Sequence, residues 1–296
     1  MISIVITSFK EPDLVRKSIE SIIKNKIKEK YELVVAAPDK ETELVVKEFS
    51  KNNKSVKYFK DPGKGKSFAL NLLFKILKGK IWIFTDGDVS ISENAINEIL
   101  EKFKDQKVGC VVGRPVSQNP KNNMLGFWSH LLCDAGAHRI RKRLDREGKF
   151  LEGTGYLFAF RNNITKNIPL NVAEDSIIPY LTTKKGYKVR YAENALVYVK
   201  NPTTIKDFVK QRIRTAKAHE TLEDYAPYFP KVKSFRNEII YGTTPALRYP
   251  KTLKEFLWTI ALFFTRLYIW MMVKLEDKLI KKRYADAWER VESTKA

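Results

Sequence analysis

At 296 residues, 44% hydrophobic and 12% aromatic, the chain is long enough for one large domain with an appendage and too apolar for wholesale disorder. Its formal charge of +21 calls for an anionic partner: nucleic acid, a membrane surface or a phosphorylated substrate. Acids are interleaved with the bases and there is no long basic tail, which turns the reading from nucleic acid towards a basic face on a folded body. Two cysteines, Cys110 and Cys133, make no disulfide framework and fit a reducing compartment. Charge beginning at Lys10, directly after the first apolar run, argues against a signal peptide. Abundant Lys, Glu, Ile and Tyr with few Gln and Cys fit a thermophile.

In chain order, Ile2 to Thr7 reads as an apolar strand, and Pro12 suits the first turn of the helix that follows, with Leu14, Val15, Ile19, Ile22 and Ile23 at helical spacing. A second strand spans Tyr31 to Ala37, a helix Glu41 to Ser50, and a third strand Val56 to Phe59. The loop Asp61-Pro62-Gly63-Lys64-Gly65-Lys66 then opens a helix from Ser67 to Leu77. After the strand Ile81 to Thr85 come a helix from Glu93 to Phe103 and a strand from Val108 to Val112. Such alternation predicts an α/β fold, a mostly parallel sheet with helices on both faces.

The Ile81–Val89 stretch carries the chemistry. An apolar run reads as a strand buried on both faces, and it ends on Asp86-Gly87-Asp88. Carboxylates at the carboxyl end of a parallel strand sit where open α/β sheets bind ligands. Two hard oxygen donors there suit Mn²⁺ or Mg²⁺ bridging nucleotide phosphates. The competing reading is a hairpin turn, for which Asp-Gly is a common signal. Gly65-Lys66-Ser67 would close a P-loop, but the first glycine would fall at Lys60, so that motif is rejected. A Gly/Lys loop at a helix N-terminus still suits a phosphate or a sugar.

Beyond Pro120 the alternation stops. Met124 to Leu132 is apolar and Arg139 to Lys149 strongly basic; Gly153-Thr154-Gly155 precedes a strand-like Tyr156–Phe160. Glu174-Asp175 opens a helix running to about Lys185, where two acids could simply complement the helix dipole. Two short strands, Lys188–Tyr191 and Ala195–Tyr198, precede a basic helix from Thr203 to His219 containing Gln211-Arg212-Ile213-Arg214-Thr215. His130, His138 and His219 have no metal-type spacing and read as structural.

Taken in order, these motifs resemble the family-2 glycosyltransferases of GT-A fold, nearest the membrane-associated branch of cellulose, chitin and hyaluronan synthases and polyprenyl-phosphate sugar transferases. The resemblance runs through Ser8 and Glu11, Asp39, Gly65-Lys66, Asp86-Gly87-Asp88, Gly153-Thr154-Gly155, Glu174-Asp175 and Gln211–Arg214. It implies a catalytic domain over 1–220, with a nucleotide-sugar half to 117 and an acceptor half from 118, and a helical membrane-associated region over 221–296. It implies that Ser8, Glu11 and Asp39 hold base and ribose. Lys66, Arg212 and Arg214 would then serve the donor phosphates, the two arginines from one side of their helix. The same resemblance puts the metal on Asp88 and Asp86, makes Asp175 the general base beside Glu174, and sets the Gly153–Gly155 turn, Gln211 and Thr215 on the acceptor side. The branch usually reads Gln-x-x-Arg-Trp, and Thr215 stands where the tryptophan belongs. That favours transfer of a single sugar, from GDP-mannose or a UDP-hexose, to a lipid-linked or glycan acceptor over synthesis of a short polymer. A non-catalytic scaffold would need broken carboxylates, and Asp86, Asp88 and Asp175 are intact.

Residues 256–273 form an apolar segment of 18, the lower limit for a bilayer span. Its Leu, Ile, Phe and Val residues favour insertion by roughly 3–5 kcal/mol, against about 2.5–3.5 kcal/mol for Arg266. Basic residues flank both ends: Arg248, Lys251 and Lys254 before, Lys274, Lys278, Lys281, Lys282 and Arg283 after. The expectation is a helix at the cytoplasmic membrane interface anchored by Trp258, Tyr268 and Trp270, with a single span as alternative. Anionic lipid would be a partner of the basic surface.

Overall fold

A computed structural model describes residues 1–227, 229, 232, 234–280 and 292–294. The basic flank at Lys281, Lys282 and Arg283 lies outside the described residues, as do the side chains of His219 and Lys278. The strands are β1 (Ile2–Thr7), β2 (Tyr31–Ala37), β3 (Val56–Lys60), β4 (Ile81–Asp86), β5 (Ser90–Ile91), β6 (Val108–Ser117), β7 (Leu157–Arg161) and β8 (Lys188–Val199). The helices are α1 (Pro12–Ile23), α2 (Lys40–Asn52), α3 (Lys66–Leu73), α4 (Ala95–Lys102), α5 (Met124–Leu131), α6 (Arg139–Arg146), α7 (Glu174–Lys184) and α8 (Ile205–Glu220). A π-helical stretch, Leu132–His138, joins α5 to α6, and a long helix, Leu253–Ile280, follows near the C-terminus.

All eight strands form one sheet in the order β3-β2-β1-β4-β7-β6-β8-β5. It is mostly parallel; β7 runs against both neighbours and β5 against β8. The α/β class expected from the sequence is therefore the one observed. Side-chain alternation explains the layers. Ile2, Ile4, Ile6 and Ile83 enter one core with Val15 and Ile19 of α1 and Ile96 and Ile99 of α4. Val5, Trp82 and Phe84 enter the opposite core with Leu70 and Leu73 of α3 and Ile177 and Ile178 of α7. Adjacent residues of β4 feed different cores, which is why that strand has no polar face.

Three local expectations change. Lys188–Tyr191 and Ala195–Tyr198 are one strand: a register shift against β6, between Val112 and Arg114, takes up the polar Glu193-Asn194 as an irregularity. β6 continues past Val112 to Ser117, paired with the far half of β8 where no apolar run advertises a strand. The Asp86-Gly87 turn makes no hairpin, because β4 lies between β1 and β7 while β5 sits at the far edge of the sheet.

Strand order reverses at β1. The chain fills β2 and β3 on one side, then returns to place β4 on the other, so the crevice beyond the carboxyl ends of β1 and β4 is the topological switch point. Thr7 is in register with Asp86, and Thr85 with Leu157. Because β7 is antiparallel, its leading turn, Gly153–Tyr156, arrives at the same edge.

The C-terminal helix packs through Leu262, Ile269 and Val273 onto Phe127, Trp128 and Leu131 of α5 and Phe208 and Ala216 of α8. Trp128 Nε1 donates to the Trp258 carbonyl at 2.6 Å. Arg266 is turned inward, not into the apolar surroundings: it makes a two-pronged pair with Glu238, both contacts 2.6 Å. Trp270 Nε1 also donates to Glu238, at 2.8 Å, and Trp258 packs on Phe127. Of the three expected aromatic anchors, only Tyr268 is exposed. The outer face instead carries Leu253, Leu257, Phe264, Leu267, Met271 and Leu275. By length and composition Leu253–Glu276, mean hydropathy 1.6, is long and apolar enough to cross a membrane.

One buried carboxylate ties the strands' leading edge. Glu32 accepts from Ser3 Oγ (2.7 Å), Lys78 N–H (2.8 Å) and Lys57 Nζ (3.0 Å). Burial works against its charge, but these three donors outweigh burial and hold its pKa below the usual range. A depressed folded pKa means the stabilisation is present above the unfolded pKa, about 4.3, and fades as pH falls through the folded value. Glu32→Gln is expected to cost about 1–3 kcal/mol near pH 7. Urea titrations at pH 7 and pH 3 should show the gap to wild type narrowing in acid.

Candidate active site

A cavity of about 1100 Å³ opens over the switch point and extends beneath the C-terminal helix. At the switch point its inner wall carries Thr7, Ser8, Glu11, Lys66, Asp86, Asp88, Glu174 and Asp175; Arg141, Gln211, Arg212, Arg214 and Thr215 also line the cavity. The volume exceeds the roughly 300–1,000 Å³ of ordinary small-ligand pockets, so it has room for more than one substrate.

At the centre the Lys66 ammonium lies 2.6 Å from Asp86 Oδ1 and 2.6 Å from Glu174 Oε1. Gly65, at a φ of 103°, lets the chain turn directly into α3 so that Lys66 points across the crevice. Burial works against the Lys66 charge, yet the two carboxylates raise its pKa well above the usual lysine value. Burial pushes the Asp86 carboxyl up to about 6, opposed by Lys66 and reinforced by Asp88 and Glu174. Thr7 Oγ1 donates to Asp86 Oδ1 at 3.3 Å. Gly87, between the two aspartates, is required by packing: a Cβ there would lie 2.7 Å from Ser8 Cβ.

The turn before β7 closes the centre from the opposite side. Gly153 N–H donates to the Asp175 carbonyl at 2.9 Å, and a Cβ on Gly153 would stand 2.6 Å from that oxygen. A Cβ on Gly155 would meet Glu174 Oε1 at 3.2 Å and Lys66 Nζ at 3.6 Å. This turn is therefore the third side of the Lys66 cluster. Arg141 holds it in place, donating through NH2 to the Gly153 carbonyl (2.9 Å) and through Nε to the Glu152 carbonyl (3.3 Å).

Two of the residues singled out from the sequence lie off the cavity wall. Gly153 backs the turn. Asp39 caps α2, accepting from Thr42 N–H (2.9 Å) and Thr42 Oγ1 (2.6 Å), and its other oxygen takes the Lys10 N–H at 2.9 Å. Burial opposes the Asp39 charge, but these donors prevail and keep its pKa low. Lys10 has a φ of 57°, so Asp39 also fixes the strained bend of the Ser8–Glu11 loop. Arg212 and Arg214 both reach the wall, though not from one side of α8: two residues apart on a helix means about 200°. Arg212 lies over the Phe208 ring at 5.4 Å. Burial lowers its pKa, and Arg266 adds to the effect.

Among the described residues no group of three or more His, Cys, Asp or Glu converges as a metal cage. Asp86 and Asp88 supply two hard oxygen donors at the inner wall, the incomplete shell expected where substrate phosphates and water finish the coordination of Mg²⁺ or Mn²⁺. Ser8 Oγ is buried there and has no hydrogen-bond partner among the described residues. The donor set thus fits a cation held jointly with a phosphorylated ligand.

Sequence reading missed the Lys66–Glu174 contact, the role of Arg141 and the Arg266–Glu238 pair. The first depends on β7 reversing direction. Arg141 is hidden in a basic run, and its aim is set by the π-helical stretch, which turns the following helix by a fraction of a turn. A lone arginine in an apolar segment was a visible signal for the third.

Fold and site define a sugar-transferring α/β enzyme, and comparison supports that class. The family described as "Glycosyltransferase like family 2" matches residues 1–218. The chain belongs to glycosyltransferase family 2. It is 23% identical over 229 residues to a poly-β-1,6-N-acetyl-D-glucosamine synthase of Staphylococcus aureus, covering 75% of this chain and 55% of the relative. A Staphylococcus epidermidis synthase of the same name is 25% identical over the same shares. The chain therefore spans about half the length of these curated relatives. A mannosyltransferase from Pyrobaculum calidifontis, solved in complex with GDP-Man and Mn²⁺, shares the fold at a TM-score of 0.59 and 16% identity, over 93% of this chain and 80% of that one.

Proposed function

We propose that the chain is an inverting, divalent-metal-dependent hexosyltransferase that moves one sugar from GDP-mannose or a UDP-hexose to a lipid-linked or glycan acceptor at the cytoplasmic face of a membrane. The observation that carries this reading is convergence: Asp86, Asp88, Lys66, Glu174, Asp175 and Arg214 line one cavity at the sheet's switch point. The Ser8–Glu11 loop, braced by Asp39, holds base and ribose. Arg214 supplies charge to the diphosphate. Bound at Asp88 and Asp86, Mn²⁺ or Mg²⁺ would offset the charge developing on the leaving diphosphate. Lys66 keeps Asp86 and Glu174 in place and leaves the inner wall less negative towards an anionic donor. An acceptor hydroxyl attacks the anomeric carbon opposite the leaving phosphate, Asp175 takes its proton, and the carbon–oxygen bond to phosphate breaks with the electron pair leaving on the diphosphate. One displacement inverts the centre.

The exposed apolar stripe of the C-terminal helix supports membrane contact, and the inward pairing of Arg266 with Glu238 keeps that charge off the stripe. Residues 1–220 act as the catalytic part and 221–296 as the membrane-associated part. A second reading, a short-polymer synthase, is favoured by the names of the relatives. Thr215 weighs against it: where the branch has an aromatic platform, its hydroxyl donates back to the Gln211 carbonyl at 2.9 Å.

A thermal-shift panel tests the reading. GDP-mannose, UDP-glucose and UDP-N-acetylglucosamine are each added with and without Mn²⁺. One donor is expected to raise the melting temperature only with metal, and Asp88→Ala to lose that shift. Sizing of radiolabelled product then separates single transfer from polymerisation. No response to any nucleotide sugar would sink the donor assignment.

A further inference from the structure

Resting on the transferase reading, we propose that Arg141 is the positioning residue for the proton acceptor, setting Asp175 through the Gly153 peptide. Arg141 is 7% exposed and donates to two successive backbone oxygens: through Nε to the Glu152 carbonyl (3.3 Å) and through NH2 to the Gly153 carbonyl (2.9 Å). Those oxygens belong to the two peptide planes that meet at the Gly153 Cα. Each plane is rigid, so the guanidinium fork fixes the two soft torsions between them. Glycine has little backbone preference of its own, and here the preference comes from outside. The first plane also carries the Gly153 N–H, which donates to the Asp175 carbonyl at 2.9 Å. Arg141 and Asp175 therefore hold opposite ends of one peptide group, and hydrogen bonds chained in this way strengthen each other. The approach is close. A Cβ on Gly153 would stand 3.4 Å from the Asp175 Cα, the atom that carries the carboxylate-bearing side chain.

The fork is itself anchored to the sheet. Asp145, one turn beyond Arg141 on α6, accepts from Arg190 Nε (2.7 Å), Arg190 NH2 (3.2 Å) and the Tyr191 N–H (2.9 Å) of β8. The far end of the Gly153–Tyr156 turn is tied separately: Thr85 Oγ1 of β4 donates to the Tyr156 carbonyl at 2.7 Å. A line of rigid contacts thus runs from β8 through α6 and Gly153 to the start of α7, where Asp175 sits. Misplacing a reacting group by 1 Å costs about 10²-fold in rate, so loss of the fork acts on turnover. The donor end does not depend on it, because Asp86 and Asp88 are carried by β4 and the Ser8–Glu11 loop by β1. A lysine at this position keeps the charge, but as a point donor it cannot fork both carbonyls.

The test resolves kcat from KM on the purified full chain and adds amide hydrogen exchange, which needs no turnover. Arg141→Gln is expected to lower kcat by about 10²-fold and to leave donor KM and the metal-dependent donor shift within about twofold of wild type. Arg141→Lys is expected to recover only a minor part of the loss. On the Asp175→Asn background, Arg141→Gln should cost less than about threefold, since a residue acting through another is silent once that one is gone. In exchange, the Gly153 amide should open faster in Arg141→Gln while the Ala69 amide of α3 keeps its wild-type rate. Three kinetic results overturn the proposal: the same loss on both backgrounds, a donor KM that rises in step with the fall in kcat, or wild-type kcat in Arg141→Lys. Unchanged exchange at Gly153 overturns it as well, as does exchange accelerated through the whole chain, the mark of a merely structural arginine. A chain that transfers no sugar from any donor, but whose Gly153 amide is still freed selectively in Arg141→Gln, would discard the transfer reading and keep Arg141 as the residue that fixes Asp175.

Discussion

Lys66→Met is expected to lower stability by about 3–5 kcal/mol, the range for removing one partner of a buried ion pair. In melting temperature this is roughly 6–20 °C for a chain of this size class. The cause is local. The Lys66 ammonium sits between Asp86 and Glu174, and the side chains of Lys66 and Glu174 are only 13% and 8% exposed. Without it, two carboxylates stay buried beside each other with Asp88 adding its own charge. Three further results separate this account from simple loss of packing. Glu174→Gln in the Lys66→Met background should recover part of the loss, so the pair is strongly non-additive in a double-mutant cycle. Mn²⁺ should stabilise Lys66→Met more than it stabilises the wild type, since a cation then relieves uncompensated charge. Donor binding should weaken in Lys66→Met, because the wall turns more negative towards a diphosphate. A melting temperature within about 2 °C of wild type would mean that the amine does not bridge the carboxylates in solution.

This cluster marks the limit of what the sequence discloses. Strand β4 was legible because its residues serve two cores: Trp82 and Phe84 face one way, Ile83 the other, and an unbroken apolar run fits that arrangement. Asp86 was legible as a site for the same reason, since it ends such a strand. Asp39 was legible as a position after β2, but its local duties, capping α2 and bracing Lys10, can be seen only in three dimensions. Less still could be read where tertiary pairing overrides local signal. β8 crosses Glu193-Asn194 because β6 offers it a partner on both sides of the irregularity. β7 is short and apolar, and nothing in Leu157–Arg161 states that it runs antiparallel; yet that direction brings Gly155 to Lys66 and Glu174. Arg266 shows the same gap in reverse. On an insertion scale it is a penalty, but in the fold it is turned inward and paired with Glu238, so its charge does not stand on the apolar stripe.

Asp175→Asn is expected to reduce turnover by about 10²–10⁴-fold, the usual share of a general base, while leaving the metal-dependent donor shift at its wild-type size. The substitution is close to isosteric. The Asp175 carbonyl keeps its bond from Gly153 N–H, so the turn that closes the site should survive. Glu174→Gln is the informative contrast: Glu174 is held by Lys66, so its loss should appear in melting temperature and donor binding as well as in rate. Two adjacent acids at one helix start would thus separate into a positioning residue and a proton acceptor, a distinction that complementing the helix dipole cannot produce. The acceptor decides how large the Asp175 effect is. An acceptor hydroxyl needs a base as it attacks. A phosphate oxygen acting as nucleophile is already ionised and needs no base. Initial rates at saturating donor, with kcat and KM for the acceptor resolved separately, distinguish the two. A collapse in kcat with KM unchanged assigns Asp175 to proton removal from a hydroxyl. Near-normal kcat would take the base role from Asp175 and make an acceptor phosphate itself the attacking group.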